Sequence, residues 1–131
     1  MKRIAIVTGA SSGMGRRFAQ TAAENVSFDE LWVIARREER LLELKKELSG
    51  QTVIPIAMDL SVRENISSLG ERLKKEDAEV VLLVNAAGFG KFQAVTDVSQ
   101  DDADRMLALN CGALMTCVMF VCRTCIEERR F

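Results

Sequence analysis

With 131 residues the chain has the length of one domain, and its 48% hydrophobic content is enough for a buried core. A net charge of −1 over 28% charged residues excludes the basic stripe that a nucleic-acid partner demands. The apolar run at residues 4–7 is too short for a signal peptide. The run at residues 111–122 is too short to span a bilayer and reads as a buried helix. The expectation is therefore a cytoplasmic protein with neither a membrane nor a nucleic-acid partner.

Short β-type runs alternate with longer helical ones. Residues 4–7 form a predicted first strand, ending at Thr8-Gly9, and a helix follows from about residue 13 to 24. Residues 31–35 form the second strand. The charged stretch 37–48 that comes next is amphipathic, with Leu41, Leu44 and Leu48 on one face and Gly50 placed as a helix C-terminal glycine. Residues 52–57 form the third strand, where Pro55, the only proline, predicts an edge position. Ser61 and Glu64 have capping-box spacing and predict the start of a third helix with Ile66, Leu69 and Leu73 inward. Residues 80–84 are apolar throughout, as in a strand covered on both faces. Ser99 then caps a long helical stretch running to about residue 125. Alternating strands and helices imply an α/β fold with a parallel sheet and right-handed crossovers, and no linker divides the chain.

Three glycines follow the first strand, in Thr8-Gly9-Ala10-Ser11-Ser12-Gly13-Met14-Gly15. A helix N-terminus offers unpaired N–H groups and partial positive charge. Glycines let the backbone turn tightly and let a diphosphate approach, and Ser11 and Ser12 add hydroxyl donors. A plain strand-helix turn needs only one glycine, so the spacing points to a dinucleotide cradle. At the end of the second strand an NAD site places a carboxylate for the ribose 2′-OH. Here Ala35 is followed by Arg36 and Arg37, whose guanidinium groups suit the 2′-phosphate of NADP rather than NAD. Asp59, closing the third strand with Leu60, is either an acceptor for the adenine amino group or a helix-start residue.

Together, Thr8-Gly9, Gly13-Met14-Gly15, Ala35-Arg36, Asp59-Leu60, Asn85-Ala86-Ala87-Gly88 and Asn110 resemble the classical short-chain dehydrogenase/reductases, over nearly the whole chain. The resemblance implies a doubly wound Rossmann sheet, incomplete at about four βα units, with strand order 3-2-1-4. It also implies an NAD(P)-dependent oxidoreductase, with NADP favoured by Arg36 and Arg37, that moves hydride between the nicotinamide and a small carbonyl or alcohol substrate. By the same resemblance Asn85 to Gly88 steady the sheet and line the nicotinamide ribose, and Asn110 supports a proton-relay water. The family's catalytic serine and Tyr-x-x-x-Lys pair lie beyond a fifth strand, and this chain contains no tyrosine and no histidine. Two readings follow. The chain is the N-terminal, cofactor-binding part of a longer reductase, cut before that strand, or it is a non-catalytic dinucleotide-binding or sensor module.

Cys111, Cys117, Cys122 and Cys125 lie in one late segment, which is no disulfide framework, and the CxxC ends a helix instead of starting one. They read as small core residues and not as a metal site. The helix at residues 101–125 is apolar on more than one face, which predicts homo-oligomerisation through it.

Overall fold

The computed structural model describes residues 1–127, with side chains described as far as Arg123; Cys125, half of the CxxC pair, lies outside the described side chains. Four strands, β1 (Lys2–Thr8), β2 (Glu30–Ala35), β3 (Val53–Ala57) and β4 (Ala78–Asn85), form one sheet in the order β3-β2-β1-β4. All three pairings are parallel. Between the strands run α1 (Gly13–Asn25), α2 (Glu38–Glu47) and α3 (Arg63–Lys75). After β4 come a 3₁₀ turn (Val95–Asp97), α4 (Gln100–Leu107), a π-helical segment (Ala108–Ala113) and α5 (Leu114–Glu127).

The period of two along each strand divides the core into two layers. Ala5, Val7, Leu31 and Val33 point to the side covered by α1 and α2, where Ala19, Leu41 and Leu44 meet them. Ile4, Ile6, Trp32 and Ile34 point to the other side, where Ile66, Leu69 and Leu73 of α3 pack with Ala113 and Cys117. Trp32 is fully buried; its Nε1–H donates to Glu30 Oε2 at 2.8 Å and the Arg72 guanidinium lies 4.6 Å from its ring centroid. Burial of each large side chain contributes about 1.5–3 kcal/mol. A Cβ at Gly70 of α3 would come within 2.7 Å of the Phe120 ring, so α5 seats closely against that helix.

The structure matches the predicted strand order, and Pro55 does lie on the edge strand β3. Four local expectations need correction. Ser61 caps nothing: its hydroxyl and its N–H both donate to Asp59 Oδ1, at 2.6 and 2.9 Å, and α3 starts two residues later with Val62 at its cap position. The serine turns back to the carboxylate two residues upstream, and its oxygen does not reach the helix N–H groups. Gly50 does not take the left-handed conformation of a helix C-terminal glycine. β4 lies at the sheet edge, as the predicted order places it, but Val81 to Val84 are half-exposed instead of covered on both faces.

The long helix is broken by the π-helical turns and is mostly exposed. Sheet and α3 cover the stripe of Ala113 and Cys117, whereas Leu114, Met115, Val118 and Met119 face outward. By length and composition the helical stretch Gln100–Arg123 is long and apolar enough to cross a membrane, which residues 111–122 alone are not.

Candidate functional site

In a parallel sheet every strand ends at the same edge, and loops from different units converge there. An open cleft of about 260 Å³ lies along that edge. The first turn contributes Gly9, Ser11, Ser12, Met14 and Gly15. The end of β2 contributes Arg36 and Arg37, the end of β3 contributes Asp59 and Leu60, and the end of β4 contributes Ala86, Ala87 and Gly88. Gly13 and Asn85 do not line the cleft. Gly13 shapes the turn and Asn85 ends β4, paired with Thr8. Ile34, Ala35, Met58 and Leu109 also line it and were not among the predicted site residues. For the first three the available signal was position, since each sits at or beside the C-terminal end of β2 or β3.

The turn's glycines are explained first by its own packing. A Cβ at Gly15 would sit 2.1 Å from the Gly9 carbonyl oxygen, and one at Gly9 would sit 2.5 Å from the Ala86 oxygen. Gly9 and Gly13 have φ of +67° and +59°, the left-handed region that favours glycine. These contacts bring the start of α1 directly onto the strand ends. Ser12, at the cap position of α1, makes no side-chain cap bond, and the first turn of α1 carries no acidic residue. By contrast α2, α3 and α4 carry Glu38 and Glu39, Glu64, and Asp101 and Asp102 in their first turns. The positive end of α1, with unpaired N–H groups, therefore faces the cleft unneutralised, which fits an anionic diphosphate.

Thr8 joins the first and fourth units. It is buried; its hydroxyl donates to the Val84 carbonyl at 3.5 Å and accepts the Ala87 N–H at 3.2 Å. Across the cleft, Arg36 and Arg37 are exposed, and among the described residues neither is in an ion pair. Asp59 is held below the usual carboxylate pKa, chiefly by the Ser61 hydroxyl and against the opposing effect of burial, with further help from the Ser61 N–H and the charges of Arg36 and Arg105. It is thus an ionised acceptor with one oxygen committed to Ser61.

Asn110 lies in the π-helical segment. Its side-chain amide donates to the Phe89 carbonyl at 2.8 Å and accepts the Phe89 N–H at 2.9 Å. The Arg105 guanidinium sits 5.6 Å from the Phe89 ring centroid, and Lys91 pairs with Asp102 at 2.7 Å. The loop after Gly88 is therefore fastened to the helices that follow it. Cys117 is buried, and burial pushes its thiol pKa up, so it behaves as a small apolar residue.

The short chain dehydrogenase family profile matches residues 3–130, and the chain belongs to that family. It is 35% identical over 114 residues to an NADP-dependent 3-hydroxy acid dehydrogenase of Schizosaccharomyces pombe, a match covering 84% of this chain and 44% of that protein. Among solved structures, a short-chain dehydrogenase from Sphingobium yanoikuyae in complex with NADPH superposes with a TM-score of 0.85. It is 28% identical, and the match covers 96% of this chain and 50% of that one. A metagenomic short-chain oxidoreductase in complex with NADP gives 0.86 at 26% identity, covering 98% and 58%. The chain thus spans about half the length of the relatives it matches.

Proposed function

We propose that this chain is the NADP(H)-binding part of an oxidoreductase that transfers hydride between nicotinamide and a small carbonyl or alcohol substrate. One observation carries the choice of cofactor. The cleft runs from an uncapped, acid-free helix start to two unpaired guanidinium groups, Arg36 and Arg37, and no carboxylate stands at the end of β2. The helix start suits the diphosphate and the guanidinium groups suit a 2′-phosphate, through charge-assisted bonds that a 2′-OH cannot match. Asp59, which lines the same cleft, supports this reading as an acceptor for the adenine amino group. Hydride transfer also needs a proton donor, and the chain has no tyrosine or histidine for it, so turnover is assigned to the whole protein and binding to these residues.

Titration with NADPH and with NADH, followed by energy transfer from the single tryptophan Trp32, tests the assignment. NADPH is expected to bind at least ~10-fold more tightly, and Arg36→Ala/Arg37→Ala to remove most of that difference. Equal affinities in the unmodified chain would refute it. The alternative is a sensor that holds NADP without chemistry. Extending the coding sequence past Phe131 separates the two, because only the reductase requires a downstream serine and Tyr-x-x-x-Lys.

The outward apolar stripe of Leu114, Met115, Val118 and Met119 supports a homo-oligomer formed through this helical stretch. Sedimentation of a monomer at micromolar concentration would count against it.

A further inference from the structure

The two phosphate-binding elements of the proposed site sit on different helices, and little holds those helices to each other. The diphosphate turn leads into α1, and Arg36 and Arg37 lead into α2. Each helix packs on the sheet, and their backbones do not pack closely against one another. Polar side chains near the start of α1 join the two helices. Arg16, the residue directly after Gly15, donates from Nη1 to the Arg40 carbonyl at 3.4 Å and from Nη2 to Glu47 Oε1. Gln20, one turn further along α1, donates to Glu47 Oε2 at 3.2 Å. Both oxygens of the Glu47 carboxylate are thus held by α1. Arg40 and Glu47 are two helical turns apart on the same face of α2; the Arg40 carbonyl points toward the helix C-terminus and the Glu47 side chain leans back toward the N-terminus, so one guanidinium meets both and ties α1 to the two ends of α2. The Arg16 side chain is 20% exposed, less than a free surface arginine.

We propose that this Arg16–Glu47–Gln20 clamp is a cofactor-selectivity device: it fixes the start of α2, and with it Arg36 and Arg37, at the distance from the diphosphate turn that a 2′-phosphate requires. Arg16 does not line the cleft and is a positioning residue. Loosening the clamp leaves the diphosphate turn intact, because Gly9, Gly15 and Thr8 tie that turn to the strand ends. Contacts made only by NADPH therefore weaken, while those shared with NADH persist. Arg16 also places a cation near the positive end of α1, an unfavourable position that Glu47 neutralises.

The inference rests on the NADP reading. Its test is the ratio of NADPH to NADH affinity in the 131-residue chain and in Arg16→Ala, Glu47→Gln and Arg16→Lys, each with a melting curve. Arg16→Ala and Glu47→Gln are expected to lower the ratio about fivefold through weaker NADPH binding, with NADH affinity held within about twofold. Arg16→Lys keeps the charge but loses the second bond of the fork, and recovers part of the ratio. A ratio that falls in Arg16→Ala but not in Glu47→Gln makes Arg16 a direct phosphate ligand and overturns the clamp. A ratio that stays fixed while the melting temperature drops overturns it as well, leaving an ordinary structural ion pair. If the unmodified chain shows no preference for NADPH, the functional reading fails and takes the clamp with it. If it shows the preference and the variants keep it, the clamp alone fails.

Discussion

At the start of α4, the Ser99 hydroxyl accepts the Asp102 N–H at 3.1 Å, and two aspartates occupy the first turn. At the start of α1, the Ser12 side chain makes no cap bond and the first turn carries no acid. A cap is worth about 1 kcal/mol and a first-turn carboxylate a few tenths more. One helix start completes its hydrogen bonding within the protein. The other leaves that stability unused, and it is the one that opens on the cleft. The contrast locates where this domain is arranged to interact with something outside itself.

The largest effect is expected where α1 meets the strand ends. In Gly15→Ala the new methyl has backbone in its way at 2.1 Å, and backbone cannot rotate aside as a side chain would. A loss of about 3 kcal/mol or more is expected from urea unfolding followed by Trp32 fluorescence, together with lost NADPH binding. A variant as stable as the parent would mean that α1 is not pressed onto Gly9.

Two serine substitutions sharpen the contrast directly. Ser99→Ala is expected to cost about 1 kcal/mol and to leave NADPH affinity unchanged. Ser12→Asp supplies the missing cap and acid, and is expected to stabilise by up to about 1 kcal/mol while weakening NADPH at least ~10-fold by charge repulsion. Tight NADPH binding in Ser12→Asp would show that the diphosphate lies elsewhere.

The smallest effect concerns pH. The folded-state pKa of Asp59 is depressed, mainly by the Ser61 hydroxyl. Its contribution to stability is therefore fully present above the ordinary value of 3.8 and is lost as pH falls through the lower folded value. In Ser61→Ala that portion of the acid-side loss should shrink, which urea unfolding between about pH 5 and 3 can read.

The Pro55 edge and the glycine turn were legible because each depends on residues adjacent in sequence, whereas the strand order, which no local pattern fixes, came from the family resemblance. Ser61 was misread because the capping-box spacing shows that its oxygen could accept a helix N–H, not that its own donors turn back to Asp59. The apolar run in β4 suggests cover on both faces, while the predicted strand order puts β4 at an edge, and the half-exposure of Val81 to Val84 follows the order. The π-helical winding at Ala108–Ala113 has no composition of its own. The partner of Arg16 is 31 residues away and that of Thr8 is 79 away. A sequence read by motif registers such residues only as helix filler or strand end.

The Thr8 hydroxyl has a consequence for motion. One oxygen holds the end of β1, the last carbonyl stretch of β4 and the amide of Ala87 together, so the first and last loops of the cleft move as one piece. A ligand gripping only the glycine turn would then slow solvent exchange of the Ala87 amide, although nothing touches it. The two halves of the cleft would report occupancy to each other through a single hydroxyl that donates to one strand and accepts from the loop beyond it.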